Sequence, residues 1–284
     1  ELVSQWMQQA HMETWQDGVG NLWGQYKSTT PNAKTLLFGS HLDTVINGGK
    51  YDGMLGVLLP IALVNFLHQS NYQFPFHINI VGFCDEEGTR FGSTLLGSRA
   101  LTGKWQKEWQ HLLDADGISL RTAMHEFGLD FDRVDDCKID PSSLLAYLEV
   151  HIEQGPVLEA EDLAVGVVSA IAGAKRLSVS VTGMAGHAGT VPMQNRQDAL
   201  AGAAQMIVAI EEQAKRGGVV ATVGKIINSP NAVNVISGNT EFSIDVRSEN
   251  DDKRDKCLQN IIDELTLIAT RRSLKITTTV THQA

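Results

Sequence analysis

The sequence predicts a two-part α/β protein: a mainly parallel sheet flanked by helices over residues 1–172, then a small α+β unit of order β-α-β-β-α-β over residues 173–284. Three observations carry this. Short apolar runs of strand character alternate with helical stretches up to about residue 151, the rhythm of strand–helix–strand crossovers. A second rhythm, with two long helices among four or more strands, begins near Lys175. Between them, metal-type side chains recur where the first set of strands ends, as expected when functional loops gather at the carboxyl ends of parallel strands.

Taken in order, residues 2–10 form a short helix, and residues 13–26 a hairpin turned by Asp17-Gly18 and Gly20-Asn21. A strand at 35–38, a helix at 55–67, a strand at 76–83, helical stretches at 95–105 and 120–127 and a strand at 144–151 complete the first part. The second part reads as strand 176–181, helix 197–215, strand 219–226 continuing to 235, strand 240–247, helix 252–270 and strand 274–280. The boundary is expected within Ala170-Ile171-Ala172-Gly173.

Composition narrows the function. With 284 residues and 43% hydrophobic content, the chain has ample core-forming material. A net charge of -10 argues against a nucleic-acid partner, and the Trp105–Trp109 region carries Glu108 among its lysines. Cys84, Cys137 and Cys257 are an odd number with no C-x-x-C pair, which suggests neither a disulfide framework nor a thiolate zinc site and points to the cytoplasm. No apolar run reaches the roughly 18 residues of a membrane span, because Pro60 and Asn65 interrupt residues 54–67. No secretory signal opens the chain. There is no G-x-S-x-G elbow, Walker A loop or H-E-x-x-H helix.

The chemistry lies at three strand ends. Gly39-Ser40-His41-Leu42-Asp43-Thr44, followed by Tyr51-Asp52-Gly53, brings an imidazole and two carboxylates to the end of the first apolar strand. Strand 76–83 runs into Cys84-Asp85-Glu86-Glu87-Gly88. Adjacent glutamates are most often a solvated pair, but directly after a buried strand they point in different directions, so one can bind a metal while its neighbour faces water. The third strand delivers His151 in Glu149-Val150-His151-Ile152-Glu153-Gln154-Gly155-Pro156. Taken alone, the His41 stretch reads equally as a polar strand end or a ligand, and His151 reads as a packing or hydrogen-bonding residue. Together His41, Asp52, Glu87 and His151 are nitrogen and oxygen donors without sulfur, the set for a hydrolytic zinc or manganese site. Two divalent ions sharing Asp52 would lie about 3.5 Å apart.

These motifs, with Gly186-His187-Ala188-Gly189-Thr190 further along, resemble the peptidase M20 metallohydrolases. Within them the sequence is similar to the branch of allantoate amidohydrolases, N-carbamoyl-L-amino acid hydrolases, β-ureidopropionases and ureidoglycolate hydrolases, since His151 stands where exopeptidase relatives carry a carboxylate. The resemblance implies that His41 and His151 bind one metal, Glu87 the other, and Asp52 bridges them. It makes Glu86 the general base and Asp43 a carboxylate that orients an imidazole. Gln154 reads either as a substrate partner or as a loop-stabilising amide.

In the second part the resemblance implies that Arg247 holds a substrate carboxylate in a bidentate pair, that Asn234 helps to bind substrate, and that His187 reaches across a homodimer to an oxyanion. The implied reaction is ureido C–N cleavage with release of ammonia and carbon dioxide, with allantoate the first substrate expected and N-carbamoyl amino acids the alternative. The departure is in the remaining histidines. His68, His77, His111, His125 and His282 lack the Gly-His-Asp setting of the family's last ligand, and the chain opens on Glu1. A fragment of a longer enzyme, or an inactive metal-binding piece of one, is therefore expected.

Overall fold

The computed structural model describes residues 1–283, which fall into two compact units: Glu1–Ala164, and a second from Val165 onward. The first unit holds α1 (Leu2–Gln9), β1 (Glu13–Gln16), β2 (Leu22–Tyr26), β3 (Thr35–His41), α2 (Met54–Gln69), β4 (His77–Phe83), α3 (Leu96–Leu101), α4 (Leu120–Glu126), β5 (Leu144–Leu148) and α5 (Val157–Ala160).

Its sheet runs β1-β2-β4-β3-β5. β3 is parallel to both β4 and β5, while β2 is antiparallel to β4 and to β1. The sheet is therefore mixed: the hairpin expected at residues 13–26 joins it edge-on through β2, the one of its five strands that runs against the others. The central strands β3 and β4 read as continuous buried runs because both their faces are covered. On one face α2 buries Val57, Ile61 and Val64 against Ile78, Ile80 and Met7.

Two expected boundaries move. The helix predicted to reach residue 105 stops at Leu101, because Gly103 takes a left-handed conformation (φ +68°) and its N–H returns to the Ala100 carbonyl. β5 leaves its ladder at Leu148 rather than running to His151.

The second unit holds β6 (Gly173–Thr182), β7 (Gly186–His187), α6 (Ala199–Gly217), β8 (Val220–Thr222), β9 (Ile226–Ser229), β10 (Val235–Ile236), β11 (Asn239–Ser248), α7 (Asp251–Arg271) and β12 (Lys275–Gln283). Its main sheet, β12-β6-β11-β8 with β9 also on β11, is antiparallel throughout. Strict alternation puts Leu177, Val179 and Val181 of β6 and Phe242, Ile244 and Val246 of β11 on one face. There α6 and α7 cover them with Met206, Ile210, Ile261, Leu265 and Ile268.

Both helices start on side-chain caps: Asp198 accepts from the Ala201 N–H and Asn250 from the Lys253 N–H, each contributing about 1 kcal/mol. The strand predicted from 219 to 235 is three short pieces. Lys225 leaves the ladder to exchange bonds with Ser243, and Pro230 has no N–H to donate.

Candidate active site

His41 ends β3 with its ring almost fully buried against Gly53, where any Cβ would overlap the imidazole. Gly53 also takes φ +71°, so the turn that carries Asp52 beneath the ring depends on glycine twice. His41 Nδ1 donates to the backbone carbonyl of Asp43 at 2.7 Å. His151 Nδ1 donates in the same way to the carbonyl of Ile152 at 2.8 Å. A carbonyl can only accept, so Nδ1 carries a proton in each ring, and in the neutral tautomer this leaves Nε2 as the lone-pair donor.

Those two Nε2 atoms face one another at 3.4 Å. Asp52 Oδ1 lies 3.4 Å from His151 Nε2 and 3.8 Å from His41 Nε2. With both rings in that form three lone-pair donors converge, an arrangement that a divalent cation satisfies. The residues fit a divalent metal. Gln154, held at φ +55°, donates its amide to Asp52 Oδ1 at 2.9 Å.

A second cluster joins His41 to Glu86 and Glu87, with one ligand atom of each within 4.8 Å of the others. These glutamates follow β4 in a turn held by Asp43, whose two carboxylate oxygens accept from the Glu86 and Glu87 N–H groups at 3.0 Å each. Asp43 was expected to orient the imidazole through its carboxylate. Its main-chain carbonyl does that instead, because the side chain points across to the neighbouring strand end. Glu86 has its pKa raised, first by burial and then by Glu87, Asp43 and Glu149, against an opposing effect of His41. Burial, then Asp43, pushes Asp85 up to about 6.

Burial also drives the Cys84 thiol upward, with Asp17, Asp85 and Asp43 adding to it, so this sulfur is no nucleophile.

One supporting residue was not legible in the sequence. Asn21 is fully buried; it accepts from the Cys84 N–H at 3.0 Å and donates to the Gly97 carbonyl at 3.2 Å and to Asp17 at 2.9 Å. It pins the residue before the acidic turn to the hairpin and to α3. The Asp17-Gly18 signal announced a turn but not this partner. His41, Glu86, Glu87, His151 and Gln154 all open onto a cleft of about 670 Å³ with apolar walls that include Leu37, Phe83 and Leu144.

The other expected site residues belong to the second unit. His187, on β7, accepts the Gly189 N–H on Nδ1 at 3.1 Å, and the neighbouring Ala188 N–H bonds to the Asn234 carbonyl. Arg247 forms a two-pronged pair with Asp245, at 3.0 Å for each prong, and Arg176 shares that carboxylate. Asp245 is held below its usual range even though burial pulls the other way, because both guanidinium groups bond to it. Among the described residues no helix is long and apolar enough to cross a membrane.

The profile of the family described as peptidase family M20/M25/M40 matches residues 37–254. An N-carbamoyl-L-amino acid amidohydrolase of Geobacillus stearothermophilus is 42% identical over 279 residues, covering 98% of this chain and 68% of that protein. An allantoate deiminase of Arabidopsis thaliana is 38% identical over 307 residues, covering 100% of this chain and 58% of that protein. A solved hydantoinase/carbamoylase family amidase from Burkholderia ambifaria aligns with TM-score 0.87 at 32% identity, covering 100% of this chain and 69% of its own. The chain therefore spans 58% to 68% of the length of these two curated relatives.

Proposed function

This chain belongs to peptidase family M20/M25/M40, and from that premise we propose that it is a metal-dependent amidohydrolase cleaving the ureido C–N bond of a carboxylate-bearing substrate, with allantoate first. The observation that carries the reading is the convergence of two bare Nε2 atoms and Asp52 Oδ1 beside a pair of glutamates. His41, Asp52 and His151 would hold one zinc or manganese ion, and Glu87 with Asp52 a second. When bound, such ions polarise a carbonyl oxygen and bring the pKa of water toward neutrality.

The protein's own residues do the rest. Glu86, half-buried with a raised pKa, takes a proton from the attacking water and returns it to the leaving nitrogen, so that the ureido C–N bond breaks as ammonia forms. The carbamate left behind loses carbon dioxide. Gln154 keeps Asp52 oriented toward the imidazoles. Arg247 would exchange Asp245 for the substrate carboxylate, a like-for-like swap of one bidentate partner for another. Asn234 would assist in holding the substrate, and His187 would stabilise the oxyanion from the partner subunit of a cytoplasmic homodimer.

N-carbamoyl-L-amino acids are the second reading, favoured by the 42% identity to the Geobacillus amidohydrolase. Ammonia release from allantoate and from N-carbamoyl-L-amino acids, measured with zinc or manganese added and with metal content determined on the same sample, separates these outcomes. Turnover of allantoate in preference supports the first. Bound metal without turnover of either substrate would leave this chain as an inactive metal-binding piece of the enzyme.

A further inference from the structure

Backbone pairing between the two histidine-bearing segments stops before it reaches the histidines. β3 and β5 stay in register only as far as Phe38 opposite Leu148, three residues short of His41 and of His151. On its other side β3 remains paired with β4 through His41 opposite Phe83. The sheet therefore fixes His41, but the β3–β5 ladder does not extend to His151.

The Glu149 carboxylate spans that gap, with the Tyr147 hydroxyl beside it. Glu149 Oε1 accepts from Ser40 Oγ at 2.9 Å, and its Oε2 accepts from the Tyr147 hydroxyl at 2.8 Å. The same hydroxyl lies 3.2 Å from the Gly39 carbonyl, and the tyrosine ring packs so close over Gly39 that a Cβ there would stand 3.0 Å from it. Ser40 is fully buried and precedes His41 directly; Glu149 is two residues before His151. Each end of the bridge is thus within two residues of a metal-type ligand.

We propose that Glu149, bonded to Ser40 and Tyr147, is a positioning residue that sets the separation of the His41 and His151 imidazoles where the strand ladder has ended. The inference rests on the metal reading of this site given above. The bridge works through hydrogen bonds rather than charge, so an amide of the same shape can replace it: its oxygen accepts from one hydroxyl and its NH₂ donates to the other oxygen.

The test is a cobalt(II) titration of the whole 284-residue chain, followed by visible absorption, with folding checked by circular dichroism. Glu149→Ala is expected to weaken cobalt binding about 10–100-fold and to change the absorption bands, while Glu149→Gln stays within about threefold of the parent. Ser40→Ala and Tyr147→Phe each remove one end of the bridge; their combination should match Glu149→Ala and gives the same reading should that variant fail to fold. Parental cobalt affinity and spectrum in a folded Glu149→Ala chain, or in the double variant, would overturn the inference alone. Loss in Glu149→Gln equal to that in Glu149→Ala would overturn the hydrogen-bond basis. A parent chain that binds no cobalt would remove the metal reading and the inference with it.

Discussion

The two units hold polar groups in opposite ways. In the first, Asp52, Glu86 and His151 lie beyond the strand ladders, each held by a turn, a backbone carbonyl or another side chain, while His41 closes the β3–β4 ladder and has its ring turned by the Asp43 carbonyl. In the second, the strands alternate strictly, the core is continuous, and the polar candidates are already satisfied within the unit: Arg247 by Asp245, His187 by Gly189. The difference teaches where reactivity is stored. The first unit gathers two imidazole Nε2 atoms and a carboxylate oxygen at one point, a donor set that a divalent cation suits. The second keeps its groups paired, so using them means exchanging one partner for another.

The largest effect should come from the first unit. Glu86→Gln is expected to lower kcat by about 10²–10⁴-fold, the range for losing a general base, with metal content unchanged. Paired measurements of turnover and bound metal check it, and loss of metal in the variant would move Glu86 from base to ligand.

Gly53→Ala comes next. A Cβ at this position overlaps the His41 ring, and φ +71° is strained for alanine, so Asp52 should shift and stability fall by about 1–3 kcal/mol. Denaturant unfolding together with a metal titration reads both consequences. An unchanged metal affinity would show that the turn tolerates the shift and that Asp52 is placed from elsewhere.

For the second unit the expected effect is smaller and confined to binding. Arg247→Lys removes one prong of a bidentate pair, so KM for a carboxylate-bearing substrate should rise roughly tenfold while metal affinity stays level. Unchanged KM would mean that the Asp245 pair is purely structural and never exchanges.

Much of this contrast was readable in the sequence, and the unread part has a physical pattern. The gathering of His41 with Asp52 and His151, and of His41 with Glu86 and Glu87, was legible because the ends of parallel strands lie along one edge of the sheet. Which atom does which task was not. Asp43 uses its carbonyl for one strand end and its carboxylate for another, a choice fixed by the direction of a loop rather than by residue type. Gln154 reaches Asp52 from a left-handed backbone conformation that nothing in Glu153-Gln154-Gly155 demands. The alternation of β6 and β11 announced the second unit's core, whereas the break at Lys225 depends on a side-chain bond from a strand eighteen residues on.

The smallest effect tests the cost of crowding carboxylates at one strand end. Asp85 stands beside Glu86 with its pKa raised to about 6, mainly by burial and then by Asp43, with Arg90 opposing. Its ordinary value is 3.8, so between pH 3.8 and about 6 the unfolded chain has lost a proton that the folded chain still holds. Stability therefore falls as pH rises through that window and stays lower above it. Asp85→Asn removes the penalty, and asparagine tolerates the φ of +47° found here. In metal-free protein the variant should be about 1 kcal/mol more stable than the parent at pH 8, after allowing for solvent screening of a partly exposed group, and indistinguishable from it below pH 4. Urea unfolding at the two pH values decides it. A gain of equal size at both would trace the effect to the backbone turn, and no gain at pH 8 would show that the acidic cluster is relaxed by solvent.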